Sequence, residues 1–338
     1  MPLNGYRSTS HFTTGGFLTL GSPLIDITVK VDKRFLDNFG LKENDAVFVN
    51  EGTVAIFDLV KGLKPKYLVG GCSLNTARAL QWVLKRSNFC TVLGAVGDDD
   101  HASVISAQLS DEGVKSIFQT VEGGRTGRCA VLLNGSNRSL CTDLGASQKF
   151  TLENLMRCEA WTIVETSSCY YIPGFFLSVS RECVKVLAKH ATNLGKTFAF
   201  NLSAPFIVSL YKNDLRELLT NVDLLFGNQA EIRTLAKEFG YTNVDLAEIL
   251  LHISELVRGT IIVTRGPGSV FTVCGAQVTE HVVEKLEAEK VKDTSAAGDC
   301  FVGGFLAAFI ENRPIAECVN SGVGVARNVI QSNGCWFK

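Results

Sequence analysis

The 338-residue sequence lacks the features of a membrane or nucleic-acid-binding protein. It contains no apolar run near the roughly 18 residues that a helix needs to span a bilayer. The polar stretch 1–16 lacks the apolar core of a secretory signal. With 33 basic and 34 acidic side chains, the sequence has no excess positive charge to attract a polyanion. We therefore expect a small-molecule substrate and neither a nucleic-acid nor a membrane partner.

Metal-binding and disulfide patterns are missing as well. The five histidines show no metal-ligand spacing, so a zinc site is not expected. The 11 cysteines are odd in number and include no C-x-x-C pair, and Cys129, Cys169 and Cys183 lie in apolar contexts. Such cysteines are typical of free buried thiols in a reducing compartment. We expect a cytoplasmic protein, and a nuclear protein would show the same traces.

Two common nucleotide-binding motifs are incomplete. Before Gly195-Lys196-Thr197, a P-loop would need glycine at position 190, where the sequence has His190. The segment 322–327 lacks the third glycine of a dinucleotide fingerprint and lies in a predicted helix. The missing glycines exclude a P-loop and argue against a nicotinamide dehydrogenase.

The segment 293–299 is the most informative part of the sequence about function. It is a turn of small residues that leads into an apolar helix. Backbone N–H groups at a helix start bind anions, and here Ala296, Ala297 and Gly298 would supply them. Asp299 lies beside them and could take a proton from an attacking hydroxyl. This combination indicates phosphoryl transfer, although a helix cap would use the same residue types.

A second segment, far upstream, is a predicted strand that ends in Gly70-Gly71 before a helix carrying Asn75. The glycines allow a ligand close to the backbone. Together with 293–299, this segment resembles the two signature regions of the ribokinase-like family of sugar and nucleoside kinases. Three more stretches narrow the resemblance to the adenosine kinases. The matching segments occur in the same order as in that family, and the resemblance extends from about Leu18 to Phe337. They are 172–178, 201–207 and 222–231.

Strand and helix patterns alternate along most of the sequence, which predicts an α/β fold with a doubly wound, mostly parallel sheet flanked by helices. The predicted strands are 91–96, 160–172, 197–202, 222–226 and 260–264. The predicted helices are 101–112, 178–194, 205–219 and 228–257.

Two stretches depart from this alternation and contain short β-rich runs. We predict a smaller β-rich domain from 28–66 and 121–144. The resemblance implies that it is a lid over the substrate. The large α/β nucleotide-binding domain would then comprise 17–27, 67–120 and 145–338.

The resemblance implies phosphorylation of adenosine, with ATP as co-substrate. Asp26, predicted to end the first strand, would bind the ribose hydroxyls with Gly71 and Asn75. Asp299 would be the general base for the 5′-hydroxyl, and Arg138 would be the lid arginine that meets the transferred phosphate. The nucleobase slot would be formed by Ser22, Leu24, Phe48, Cys129, Leu140 and Phe175.

The implied ATP side comprises Asn201, Asn228, Glu231, Thr264 and Gly266. Of these, Asn201, Asn228 and Gly266 also fall at the carboxyl ends of predicted strands, where such sheets bind ligands. Asn228 and Glu231 match the N-x-x-E element that organises Mg²⁺ and phosphate in the family. Their spacing is equally that of a capping box. Family members usually work as monomers, and we expect the same here.

The sequence departs from the family at the site itself. Ser295 and Ala296 stand within a segment that usually reads D-T-N-G-A-G-D, Ser22 replaces a common asparagine, and Phe48 replaces a usual leucine. Ala296 keeps its backbone N–H, but a positive φ there would cost about 1 kcal/mol. These departures leave open a kinase for another nucleoside or a sugar, or a nucleoside-binding protein with impaired catalysis.

Overall fold

The computed structural model describes residues 15–135, 137–242, 245–332 and 334–337, apart from the side chain of Ala288. Most of the stretch 1–16, for which we predicted no secretory signal, lies outside these ranges. Within them, no helix combines the length and the apolar character that a membrane crossing requires.

The strands follow one another along the chain as β1 Gly16–Leu20, β2 Leu24–Lys30, β3 Ala46–Phe48, β4 Lys66–Gly70, β5 Cys90–Gly97, β6 Lys115–Val121, β7 Gly127–Asn134, β8 Asn137–Asp143, β9 Ser167–Pro173, β10 Thr197–Asn201, β11 Leu224–Asn228, β12 Thr260–Thr264, β13 Val270–Cys274 and β14 Gln277–His281.

The α-helices are α1 Lys33–Asn38, α2 Ile56–Leu59, α3 Cys72–Leu84, α4 Asp100–Asp111, α5 Leu152–Leu155, α6 Cys158–Thr166, α7 Arg181–Leu194, α8 Pro205–Leu210, α9 Lys212–Leu218, α10 Gln229–Glu238, α11 Leu246–Ser254, α12 Ala297–Ile310 and α13 Ile315–Ile330. Short 3₁₀ segments span Val60–Leu63, Gly145–Lys149, Gly174–Ser178, Leu219–Asn221 and Ala288–Lys290.

The main sheet has nine strands among the described residues, in the order β14-β13-β12-β11-β10-β9-β1-β5-β6. Neighbours from β12 to β6 are parallel, and β13 and β14 add an antiparallel edge. Successive residues of β12 belong to opposite cores, since Ile261 packs in one cluster with Leu250 and Ile262 in the other with Leu306. Helices therefore cover both faces, which explains the continuous burial of the central strands. The predicted fold class is confirmed.

A second, five-stranded sheet has the order β3-β8-β7-β2-β4 in the part of the chain that is described. It joins the two β-rich stretches, because β3 pairs with β8 and β2 pairs with β7. The prediction that Asp26 ends the first strand is wrong. That strand ends at Leu20, and Asp26 lies inside β2. Pro23 lacks the N–H that a continuing ladder would need, so the chain leaves one sheet there and enters the other.

Three predicted elements need correction. The predicted strand 160–172 begins as α6, and only β9 is extended. The β-branched residues there favour a strand, but Ala160 and Val164 are buried one helical turn apart, so packing overrides the local preference. The predicted helix 228–257 is two helices, because α10 ends before Gly240, which has a φ of 94°. Likewise, α8 and α9 divide 205–219.

Helix α12 lies between α3 and α13, and two adjacent glycines allow this close packing. A Cβ atom at Gly303 would lie 2.5 Å from Ala79 Cβ and 2.6 Å from the carbonyl oxygen of Thr76. A Cβ atom at Gly304 would lie 2.7 Å from Val325 Cγ2. Gly303 thus allows the close approach of α3 and α12, whose first turns carry Asn75 and Asp299.

We predict that Gly303→Ala destabilises the protein by about 1–3 kcal/mol, because the added methyl group overpacks the crossing of α3 and α12. Gly324→Ala is the matched control. Gly324 lies in α13 with no atom within 4 Å of an added Cβ, so alanine there should stabilise the helix by about 0.5–1 kcal/mol. Urea unfolding of both variants measures the difference, and equal effects would contradict the tight crossing.

Candidate active site

A cavity of about 940 Å³ lies between the second sheet and the carboxyl ends of the main-sheet strands. Every site residue predicted from the sequence lines this cavity. The fold therefore brings together residues that are separated by as many as 277 positions, from Ser22 to Asp299. Their individual roles remain predictions.

The first turns of α3 and α12 meet at Asp299. Asn75 Nδ2 donates a hydrogen bond of 3.0 Å to Asp299 Oδ2, and Thr76 Oγ1 donates one of 3.2 Å to the Asp299 backbone oxygen. Burial raises the pKa of Asp299 to about 6, while hydrogen bonds from Asn75 and Cys72 and the charge of Arg138 oppose that rise. The result is a carboxylate held in place with the pKa of a general base near neutral pH.

Asp26 extends from β2 into the same cavity. Burial raises the pKa of Asp26 to about 7, and the charge of Asp299 adds to this rise, whereas Arg138 lowers it. The carboxylate fits because position 70 is glycine, and a Cβ atom there would collide with Asp26. Gly71, with a φ of 103°, likewise passes directly over the Ser22 carbonyl oxygen. Our sequence analysis named Gly71 and missed Gly70, although the double glycine was the available signal.

The predicted anion site lies where α12 begins. Ala296 is the N-cap, with a φ of 58° and a ψ of 3°. The first hydrogen bond within the helix is donated by Cys300 N–H to the Ala296 carbonyl at 2.8 Å. The N–H groups of residues 297–299 therefore have no acceptor within the helix. Of these, Ala297 N–H donates to the Thr294 carbonyl at 3.3 Å. One of the three predicted donors therefore already has a protein partner.

Three aromatic rings form one wall of the cavity. Phe48 meets Phe206 edge-on with 5.5 Å between ring centroids, and it meets Phe175 edge-on at 6.2 Å. Phe175 and Phe206 lie 6.1 Å apart. Sequence reasoning missed Phe206, although it lies in the stretch 201–207 that carried part of the resemblance.

A second apolar wall is formed by β2, β7 and β8. Leu24, Cys129 and Val131 are buried there, and Leu140 packs against them. Thr142 Oγ1 lies 3.3 Å from Cys129 Sγ, and burial raises the pKa of the Cys129 thiol well above its usual range. The thiol is therefore neutral, and this wall can bind a flat apolar surface. Ser22 lies half-buried at its border.

Asn228 and Glu231 form the predicted capping box at the start of α10, which the structure confirms. Asn228 Oδ1 accepts from Glu231 N–H at 2.9 Å, and Glu231 Oε2 accepts from Asn228 N–H at 2.9 Å. Asn228 Nδ2 donates to the other oxygen, Oε1, at 2.6 Å. Glu231 is 4% exposed, and this burial raises its pKa to about 7.

The remaining predicted residues of the ATP side lie at strand ends. Asn201 ends β10, and its Oδ1 accepts from Ser203 N–H at 3.0 Å. Thr264 ends β12, and Gly266 follows with a φ of 59°. The sequence analysis missed one side of the cavity, which is formed by residues 283–286 and by α13. The α13 residues that line it are Val323, Ala326, Arg327 and Ile330. No local motif marks these residues.

The sequence pattern of the pfkB family carbohydrate kinases matches residues 33–337. Adenosine kinase 1 of Arabidopsis thaliana is 33% identical over 330 residues, which cover 96% of each protein. The adenosine kinase of Saccharomyces cerevisiae is 34% identical over 330 residues, covering 95% of this chain and 96% of its own.

Solved structures show the same relationship. Anopheles gambiae adenosine kinase, in complex with P1,P4-di(adenosine-5) tetraphosphate, superposes with a TM-score of 0.93 at 36% identity, covering 95% of this chain and 97% of its own. Schistosoma mansoni adenosine kinase with 2-fluoroadenosine also has a TM-score of 0.93, at 28% identity with 96% and 98% coverage. The resemblance seen in the sequence is confirmed: the chain belongs to the pfkB family of carbohydrate kinases and, within it, to the adenosine kinases.

Proposed function

We propose that this protein transfers the γ-phosphoryl group of ATP to the 5′-hydroxyl of adenosine, giving AMP and ADP. The observation that carries the proposal is the pairing of Asp299 with Asn75 at the start of α12, in the cavity that also holds Asp26 and Arg138. The names of the relatives indicate adenosine as the acceptor. The aromatic and apolar walls suit a purine, and the carboxylates suit a ribose.

The chain's own residues account for the acceptor side of the reaction. Asp299 takes the proton of the 5′-hydroxyl as that oxygen forms a bond to the γ-phosphorus and the bond to the leaving ADP oxygen breaks. Asn75 fixes the orientation of Asp299. The Asn75 Oδ1 atom is buried without a protein partner among the described residues, so it can accept from a ribose hydroxyl. Asp26, with a pKa near 7, can bind the same diol as acceptor or donor.

Charge on the transferred group would meet the start of α12 and Arg138. The amides of the first helical turn, together with the helix dipole, favour the phosphoryl oxygens. Arg138 lies close enough to act electrostatically on both Asp26 and Asp299. Its planar fork suits charge spread over three oxygens. Catalysis then rests on positioning and charge stabilisation.

We also propose that Mg²⁺ accompanies ATP near Asn228 and Glu231. The described residues contain no cluster of three His, Cys, Asp or Glu side chains suited to a metal ion. Both Glu231 oxygens already accept hydrogen bonds from Asn228. This donor set fits a hydrated ion carried by the phosphates rather than a protein-bound one. Asn228 and Glu231 would hold its water ligands, and the ion would neutralise phosphate charge.

We propose that the stretches 28–66 and 121–144 form a lid, which β2 and β4 of the second sheet extend to Leu24 and Gly70. Support comes from what it contributes to the cavity, since Phe48 belongs to β3, and Arg138 and Leu140 belong to β8. A catalytic arginine on a separate sheet would reach the phosphate when that sheet covers the site. Such closure excludes water and limits hydrolysis of ATP.

We propose that the protein works as a monomer, as the family resemblance implies, in a reducing compartment such as the cytosol. All 11 cysteines are free thiols. Most are buried, as predicted, although Cys158 is exposed. Reducing conditions would preserve them in this state.

We predict that Asp299→Asn lowers the rate of AMP formation by about 10²–10⁴-fold, because the amide cannot accept the proton of the 5′-hydroxyl. Single-turnover assays with labelled adenosine and MgATP measure the loss. Asp100→Asn is the matched control, since Asp100 lies exposed in the first turn of α4. It should retain normal turnover. An active Asp299→Asn variant would remove Asp299 from the mechanism, and an inactive unmodified protein would refute the proposed function itself.

We predict that activity rises with pH through a midpoint between about 6 and 7, because the pKa of Asp299 is raised to about 6 and that of Asp26 to about 7. These carboxylates repel each other and titrate as a pair. In Asp26→Asn, the apparent midpoint of kcat/KM should therefore move to lower pH. Phosphate groups of ATP titrate identically in both proteins, so the difference belongs to the enzyme. Superimposable profiles would contradict the coupling.

We predict that Ala296→Gly stabilises the protein by up to about 1 kcal/mol, because glycine relieves the left-handed conformation at φ 58°. Ala297→Gly is the matched control. That residue is the first residue of α12, where glycine should instead destabilise by up to about 1 kcal/mol. Urea unfolding measures both free energies. Destabilisation by both substitutions would show that Ala296 is not strained.

A further inference from the structure

Asp293 links two distant segments through its carboxylate. Oδ1 accepts from Ser295 N–H at 2.7 Å, and Oδ2 accepts from Gly334 N–H at 2.9 Å. Ser295 belongs to the phosphate loop, which we define as residues 293–296, directly before α12. Gly334 begins the C-terminal segment, which we define as residues 334–337. One side chain thus holds the predicted anion-binding turn to a segment about 40 positions later.

The backbone reinforces this link from the end of α13. Lys292 N–H and Asp293 N–H both donate to the carbonyl of Ile330, at 2.8 and 3.2 Å. Ser295 is followed by Ala296 in the left-handed conformation, and the first amides of α12 come next. A shift of the phosphate loop would therefore change the direction of these amides.

The C-terminal segment is itself fixed on its far side. Arg78 Nη2 donates to the Cys335 carbonyl at 3.0 Å, and Arg78 is 1% exposed and bonded to Glu112 at 2.6 and 2.7 Å. Phe337 stacks on Trp82 with 5.6 Å between centroids. Both Arg78 and Trp82 lie on α3, the helix that carries Asn75. The segment therefore connects α3 to the phosphate loop.

A further contact joins the segment to α12 directly. Cys335 Sγ lies 3.6 Å from Cys300 Sγ, and Cys300 follows Asp299. The C-terminal segment thus touches α3, α12 and Asp293 of the phosphate loop, although the segment itself is not among the cavity-lining residues.

We propose that Asp293 is a positioning residue: through the C-terminal segment it holds the phosphate loop in the orientation that binds the phosphates of ATP. This inference rests on the proposed function. It concerns the donor side, because the two hydrogen bonds of the Asp293 carboxylate go to the phosphate loop and to the C-terminal segment. Towards the adenosine side, Asp293 acts through its charge on Asp26.

The substitution Asp293→Asn tests the proposal with little change in shape. An amide offers one oxygen for two backbone N–H donors, so one donor meets an NH₂ group and loses its acceptor. The loop or the segment must then move. We expect kcat/KM for ATP to fall by roughly 10- to 100-fold, the upper figure being that of a displacement near 1 Å. The dissociation constant of adenosine, measured by calorimetry without ATP, should change less than threefold.

Asp99→Asn is the matched control. Asp99 also bridges two backbone amides, accepting from Ala102 N–H at 3.1 Å and from Thr126 N–H at 2.7 Å, but neither amide belongs to the phosphate loop or to the C-terminal segment. Its substitution should reduce stability to a similar extent and leave kcat/KM for ATP within about threefold of the unmodified enzyme. A purely structural role for Asp293 would make the two variants alike in both kinetics and unfolding.

A second variant keeps the test decisive if Asp293→Asn does not fold. Phe337→Ala removes the stack on Trp82 and loosens the same segment from its other end. It should likewise lower kcat/KM for ATP without weakening adenosine binding. Normal ATP kinetics in the variants that fold would overturn the inference while the proposed function stands. Failure of the unmodified protein to form AMP would instead count against the proposed function.

Discussion

The close packing of α3 against α12 is the constraint on which the rest of the site depends. Two glycines, Gly303 and Gly304, remove the side chains that would separate α12 from its neighbours. The first turns then approach until Asn75 and Asp299 form a hydrogen bond of 3.0 Å. If the helices were one methyl group further apart, the base would lose the donor that orients it. A packing feature of the core therefore sets the geometry of the proposed proton transfer.

Charge in the cavity follows from this geometry. Asp299 and Asp26 are brought together out of solvent, so burial and mutual repulsion raise the pKa of Asp26, and burial raises that of Asp299. Arg138, from the second sheet, opposes both shifts. Movement of that sheet would thus change the charge state of the site as well as its access to water. The proposed lid and the proposed base are electrostatically connected.

Sequence patterns predicted the site better than they predicted some elements around it. The short motifs at Gly70-Gly71 and 293–299 place ligand-binding groups at strand-to-helix turns, where local backbone geometry largely decides what can bind. The first part of the strand predicted over 160–172 is helical instead, because burial of Ala160 and Val164 depends on a distant core. Phe206 was missed for a related reason. Its contact with Phe48 joins α8 to the second sheet, and nothing local to either residue indicates it.

Periodicity and short contiguous motifs are enough to give the α/β class, the family and the residue types available for phosphoryl transfer. The three-dimensional packing was needed to show which sheet holds Asp26, that Gly70 makes room for its carboxylate, and that Phe206 completes the aromatic wall. It alone joined the C-terminal segment to Asp293. Each of these depends on contacts between residues far apart in the chain, whose distances are set by the packing of whole helices and sheets.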